Sequence, residues 1–215
     1  MNAVNYQKLY ERTVAALGDR RPKLLLHVCC GPCAAACLEE LSARFDVTIF
    51  FYNPNIAPAA EYDRRLENAR RLVEAMPLSH PVRFLVGDYH PKEFLSAVKG
   101  LEDEPEGGAR CRVCFALRLR AAARAAQRIG AEFFTTTLTT GPRKSAQTLY
   151  EIGRAIGEEA GVSYLPSDFK KRGGYEHSLA VCAAYGIYRQ NYCGCPFSHS
   201  GAPEQKESGR GAIHS

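Results

Sequence analysis

No apolar run in this chain of 215 residues approaches the roughly 20 residues that a transmembrane helix needs. An integral membrane helix is therefore not expected. Residues Met1 to Arg20 also lack the apolar stretch of a signal peptide and carry Glu11 and Asp19 among their polar side chains. The expected compartment is the cytoplasm, where a disulfide scaffold is a poor explanation for cysteine. No internal repeat is visible, so solenoids and arrays are set aside. Also missing is a glycine- and serine-rich loop after the first apolar run, which ATP-dependent chemistry would need as a phosphate cradle. Cys29, Cys30, Gly31, Pro32 and Cys33 stand there instead.

Nine cysteines are present, and most fall in close groups. Thiols crowded onto one turn fill a core poorly and hold a soft metal well. The second group, Cys111-Arg-Val-Cys114, has the spacing that lets both sulfurs of one turn reach a common centre. With Cys29 and Cys30 it makes the ligand count of a 4Fe-4S cluster or a tetrahedral zinc. Alone, Cys111 and Cys114 would equally suit a thioredoxin-like redox pair. Arg110, Arg112 and Arg118 make this segment too polar for ordinary core. Cys193-Gly-Cys195 would close a small strained disulfide ring, which tends to be labile and redox-active, or supply further metal ligands. Both readings stay open. Cys37 and Cys182 stand in alanine-rich stretches and are expected to pack.

With 46% hydrophobic and 24% charged residues, the chain can bury a substantial core. One domain is expected over residues 1–198, with 199–215 a disordered tail because it has too few apolar residues to pack. Strands are expected at Lys23 to Val28, Asp46 to Tyr52, Val82 to Val86, Glu132 to Thr136 and Val162 to Leu165. Helices are expected at Cys33 to Arg44, Pro58 to Met76, Pro91 to Val98, Cys114 to Ile129 and Ser145 to Ala160. This alternation predicts βαβ units in a three-layer α/β sandwich with a mainly parallel sheet. Such sheets bind at the carboxyl ends of their strands. Cys29 to Cys33, Asn53 to Asn55, Asp88 and Thr135 to Thr137 should then line one crevice.

Six segments taken together resemble the QueH family of epoxyqueuosine reductases. They are Leu26-His-Val-Cys-Cys-Gly-Pro-Cys33, Tyr52-Asn-Pro-Asn-Ile56 with Glu61, Tyr62 and Arg65, Arg110-Cys-Arg-Val-Cys-Phe-Ala-Leu-Arg118, Thr135-Thr-Thr-Leu138, Asp168-Phe169 with Gly173-Gly-Tyr175, and Tyr188-Arg-Gln-Asn-Tyr-Cys-Gly-Cys195. The chain departs from the commoner family pattern at Gly141-Pro142, where serine-proline is more usual. The resemblance implies an oxidoreductase acting in the last step of making queuosine at the wobble position of certain tRNAs. It implies that Cys29, Cys30, Cys111 and Cys114 hold a 4Fe-4S cluster, and that Cys193 and Cys195 form a redox-active disulfide. The fold it implies is similar to the nucleotide α-hydrolase (HUP-like) type.

Converting an epoxide to an alkene takes two electrons and two protons and releases water. A dithiol at Cys193 and Cys195 could serve as a two-electron reserve, refilled by an unidentified electron donor. Cys33, outside the four cluster ligands, is a candidate ligand of a second mononuclear metal ion acting as Lewis acid, or a packing residue at a helix start. Glu61, Tyr62 and Asp168 are candidate acids or substrate-binding groups, or partners of Arg65, Lys170 and Lys171. His27 is a second hydrogen-bonding shell to the cluster or a satisfied core histidine, and Thr135 to Thr137 are hydroxyl binders or strand formers. For a tRNA partner, the basic candidates are Arg120, Arg124 and Arg128 and a mobile loop at Lys170 to Arg172. Tyr175 or Tyr192 would stack on an extruded base. The alternatives are an iron-sulfur tRNA-thiolating enzyme, disfavoured by the missing phosphate loop, and a zinc-stabilised RNA-binding module.

Overall fold

The computed structural model describes residues 4–198. The expected tail at 199–215 lies outside them. Five strands, β1 (Lys23–Val28), β2 (Asp46–Phe51), β3 (Arg83–Val86), β4 (Phe133–Thr136) and β5 (Ser163–Tyr164), form one parallel sheet in the order β3-β2-β1-β4-β5. The helices are α1 (Tyr6–Ala16), α2 (Gly31–Ala35), α3 (Leu38–Arg44), α4 (Ala59–Ala75), α5 (Pro91–Ala97), α6 (Ala109–Arg128), α7 (Ala146–Ala160) and α8 (Gly174–Ala184).

Parallel strands covered on both faces read as near-continuous apolar runs, and five of the six β1 residues are buried. Leu24, Leu26 and Val28 face a core shared with α1, α2, α3, α4 and α8. Leu25 faces a second core built with α6 and α7. The expected three-layer sandwich is therefore present. β1 and β4 are parallel neighbours, with His27 opposite Thr136, as the crevice requires.

Three local expectations change. The single helix expected from Cys33 to Arg44 is two helices, α2 and α3, parted at Ala36 and Cys37. Its first turn is wedged: a Cβ on Gly31 would lie 3.0 Å from both the Asn68 carbonyl oxygen and Ile187. Residues 174–184 form an additional helix, α8. Gly174 starts that helix because a Cβ there would sit 1.9 Å from the Phe169 carbonyl oxygen. The N-terminal helix α1 is also additional; Asn5 caps it by accepting a hydrogen bond from the Lys8 amide.

Candidate active site

Cys29 and Cys30 leave the end of β1 directly into α2, whose first turn carries Cys33. The sulfurs of Cys29, Cys30 and Cys33 all lie within 4.8 Å of one another. Contacts from Cys30 and Cys33 hold the Cys29 thiol well below the ordinary range. Contacts from Cys29 and Cys30 push Cys33 up, and the Cys29 contact pushes Cys30 up. Such a group is able to hold a metal centre.

Cys111 and Cys114 occupy the first turns of α6, earlier than the expected helix start, and both are buried. The Gly107 amide donates to Cys111 Sγ at 3.2 Å. Burial pushes the Cys114 thiol up to about 12. Cys114 packs in a small cluster with Phe94, Val98 and Cys195, with Cys193 against it, while Cys29 packs against the core that contains Cys111. Among the described residues every cysteine is a free thiol, Cys193 and Cys195 included. Cys37 and Cys182 are buried in the first core.

The segment carrying Cys193 and Cys195 is held by a buried ion pair. Arg65 Nε donates to Glu61 Oε1 at 2.6 Å, and its other nitrogens donate to the carbonyls of Cys193 (2.9 Å) and Tyr192 (3.3 Å). Gly194, at φ 91°, packs against that guanidinium so closely that a Cβ would approach Nη1 to 2.8 Å. Only glycine satisfies both conditions.

A cavity of about 370 Å³ opens over these thiols. Cys29, Cys33 and Cys193 line it with Arg65, Arg118, Lys144 and Arg189, and Tyr175 and Tyr192 stand in its wall. Lys144, buried, reaches Glu106 at 2.7 Å and Cys193 Sγ at 3.7 Å. Gly141 and Pro142 belong to this wall.

Other expected residues are placed elsewhere. Asp88 lines a different hollow, with Arg124 and Arg128, and Arg120 pairs with Glu159 of α7. The basic stripe therefore does not border the thiol cavity. Lys170 pairs with Asp168 and donates to the carbonyls of Thr139 and Lys144, while Arg172 binds Glu11. These contacts pin the expected mobile loop. Glu61, Tyr62 and Asp168 all stand outside the cavity lining. Glu61 serves Arg65 and the Tyr188 hydroxyl, and Tyr62 stacks on Tyr89 in the first core.

His27 is a satisfied core histidine. Its Nε2 lies 3.0 Å from the Tyr52 carbonyl, which can only accept, so Nε2 carries the proton and Nδ1 accepts from the Thr136 hydroxyl at 2.8 Å. Burial lowers its pKa to about 4. Thr135 donates to the Leu165 carbonyl, and the Thr137 hydroxyl accepts from the Cys29 amide at 3.4 Å. These threonines tie strand ends together rather than facing a substrate.

A metal or cluster bound by these thiols would bring negative charge, and the fold has a counterpart ready. Arg118 is 2% exposed, pairs with no carboxylate among the described residues, and leaves Nη2 without a partner. Burial opposes its charge, and Cys114, Cys193, Cys29 and Cys111 lie close enough to raise its pKa when they carry negative charge as thiolates. The donor set therefore fits an anionic thiolate-ligated centre.

Sheet order and thiol placement define an HUP-like α/β protein with a cysteine cluster able to hold a metal at its strand ends. The fold is similar to U34-tRNA thiolase NcsA from Methanococcus maripaludis with its [4Fe-4S] cluster, at TM-score 0.54 and 13% identity over 89% of this chain and 67% of that one. The family profile described as Epoxyqueuosine reductase QueH matches residues 24–201. Epoxyqueuosine reductase QueH of Streptococcus pyogenes serotype M1 is 42% identical over 200 residues, 91% of this chain and 78% of that protein. The Thermotoga maritima protein of the same name is 38% identical over 178 residues, 81% of this chain and 89% of its own. This chain belongs to the QueH family of epoxyqueuosine reductases and is an oxidoreductase.

Proposed function

We propose that the protein reduces epoxyqueuosine to queuosine at the wobble position of tRNA in the cytoplasm, releasing the epoxide oxygen as water. The observation that carries this reading is the cavity itself, where thiols from the β1 and Tyr188–Cys195 segments meet a cationic wall. The reaction consumes two electrons and two protons. Oxidation of the Cys193 and Cys195 thiols to a disulfide releases two of each, so that step balances. An external reductant then returns the pair to thiols.

Cys29, Cys30, Cys111 and Cys114 would hold a 4Fe-4S cluster, and Cys33 would ligate a second metal ion. When bound, the cluster supplies electrons one at a time. The protein's own groups bind and orient. Arg65 fixes the backbone of Cys193, and Lys144 stabilises its sulfur as the proton leaves. Tyr175 and Tyr192 offer faces for an extruded base. Arg143 and Arg189 at the cavity suit flanking phosphates. Among the described residues no helix is long and apolar enough to cross a membrane.

Anaerobic incubation of reconstituted protein with epoxyqueuosine-containing tRNA and a chemical reductant tests the reading. Nucleoside mass analysis should find the loss of one oxygen. An unchanged nucleoside with fully loaded protein would refute it.

A further inference from the structure

Arg118 heads the largest fully buried side chains among the described residues, and its polar contacts are poor. Nε reaches the Cys114 carbonyl at 3.4 Å, Nη1 reaches Asn53 Oδ1 at 3.5 Å, and Nη2 has nothing. Arg65, the comparably buried cation nearby, has Glu61 at 2.6 Å. Removing a charge from water without a partner is strongly unfavourable. Negative charge must come from elsewhere in the site.

Position on the helix indicates the source. Arg118 lies one turn beyond Cys114 on α6, so the two share a face. It also lines the cavity beside Cys29 and Cys193. We infer that Arg118 is the internal counter-ion of the thiol pocket, compensating the ligating thiolates and raising the reduction potential of the centre they hold. This rests on the reading that those thiols bind an iron-sulfur centre. A fixed positive charge stabilises the state with one more electron, and does so strongly where water is excluded. The rival role for a cavity arginine is a contact to a substrate phosphate.

Arg118→Gln and Arg118→Lys distinguish the two when reconstituted anaerobically and titrated by electron paramagnetic resonance without tRNA. Iron and sulfide content is measured on the same samples. The glutamine variant should show a more negative midpoint or reduced iron content, and the lysine variant should lie closer to the parent protein in both. Parental iron content and midpoint in both variants would overturn the inference. So would a lysine variant shifted as far as the glutamine one, because its charge is retained. Weakened tRNA binding with an unmoved midpoint would assign Arg118 to substrate instead. A parent protein that takes up no iron would sink the underlying reading, and the inference with it.

Discussion

Replacing Arg65 with methionine should cost about 3–5 kcal/mol of folding stability, the penalty for leaving a buried charge without its partner. The geometry sets that size. The side chains of Arg65 and Glu61 are 3% and 10% exposed and meet at 2.6 Å. After the change, the Glu61 carboxylate keeps the two 3.3 Å contacts from the Tyr188 hydroxyl and a contact with Tyr192, but loses its charged partner. The carbonyls of Cys193 and Tyr192 also lose a charged donor. At about 2–4 °C per kcal/mol for a chain of this size, the melting temperature should fall by roughly 10 °C. The double variant Glu61→Leu with Arg65→Met removes both charges and should recover most of the loss. Thermal and urea unfolding of the metal-free protein under reducing, anaerobic conditions measures both quantities. A single variant within about 1 kcal/mol of the parent, or a double variant no more stable than the single, would refute the reasoning. Recovery of stability should not restore function. The double variant still lacks the donors that hold Tyr192 and Cys193, so turnover should stay impaired in a well-folded protein.

Alanine at Cys29, Cys30, Cys111 or Cys114 should lower bound iron and sulfide and abolish the reductase reaction, since each change removes a ligating thiolate; full occupancy in all four variants would contradict the ligand set. Serine at Cys193 or Cys195 should leave iron nearly intact while stopping repeated turnover, whereas cluster loss in either would make the pair metal ligands. Burial depresses the His27 pKa to about 4, so the folded state resists a proton that the unfolded chain accepts near 6.5. Stability of the metal-free protein is therefore unaffected by this group above pH 6.5 and falls by up to about 1.4 kcal/mol per pH unit between 6.5 and about 4. In His27→Gln that slope should flatten, and an identical pH profile in parent and variant would rule this contribution out.

The strands are legible because each is a compact apolar run, and the central ones are buried on both faces. Helix α7 is legible for a second reason: Ser145 caps it and Gly161, at φ 67°, closes it. What escapes has a physical cause. The pair Gly173-Gly174 has the composition of a loop, yet Gly174 is required by the close approach of the Phe169 carbonyl at a helix start. Nothing local distinguishes those demands. The break between α2 and α3 falls in an alanine-rich stretch with neither proline nor glycine, and the tight entry to α2 comes from the approach of Asn68 of α4 and of Ile187 to Gly31.

In the site, cysteine is legible because its chemistry is unusual and its spacing short. Lys144 and Glu106 are not, since Lys144 meets Glu106 and Cys193 only after distant segments fold together. Arg118 did carry a usable signal. Cys111, Cys114, Phe115, Arg118, Leu119 and Ala122 recur at helical spacing, and all are buried on one face of α6. A charged residue on such a stripe is more informative than any apolar neighbour, because it requires compensation from another element. Tyr62 shows the converse. It lies one residue from Glu61 in a functional-looking segment, but the helical period turns it toward Phe51 and Tyr89 and into the core. Proximity in sequence on a helix thus separates side chains that belong to different faces: Glu61 holds Arg65, which lines the cavity, while Tyr62 enters the core.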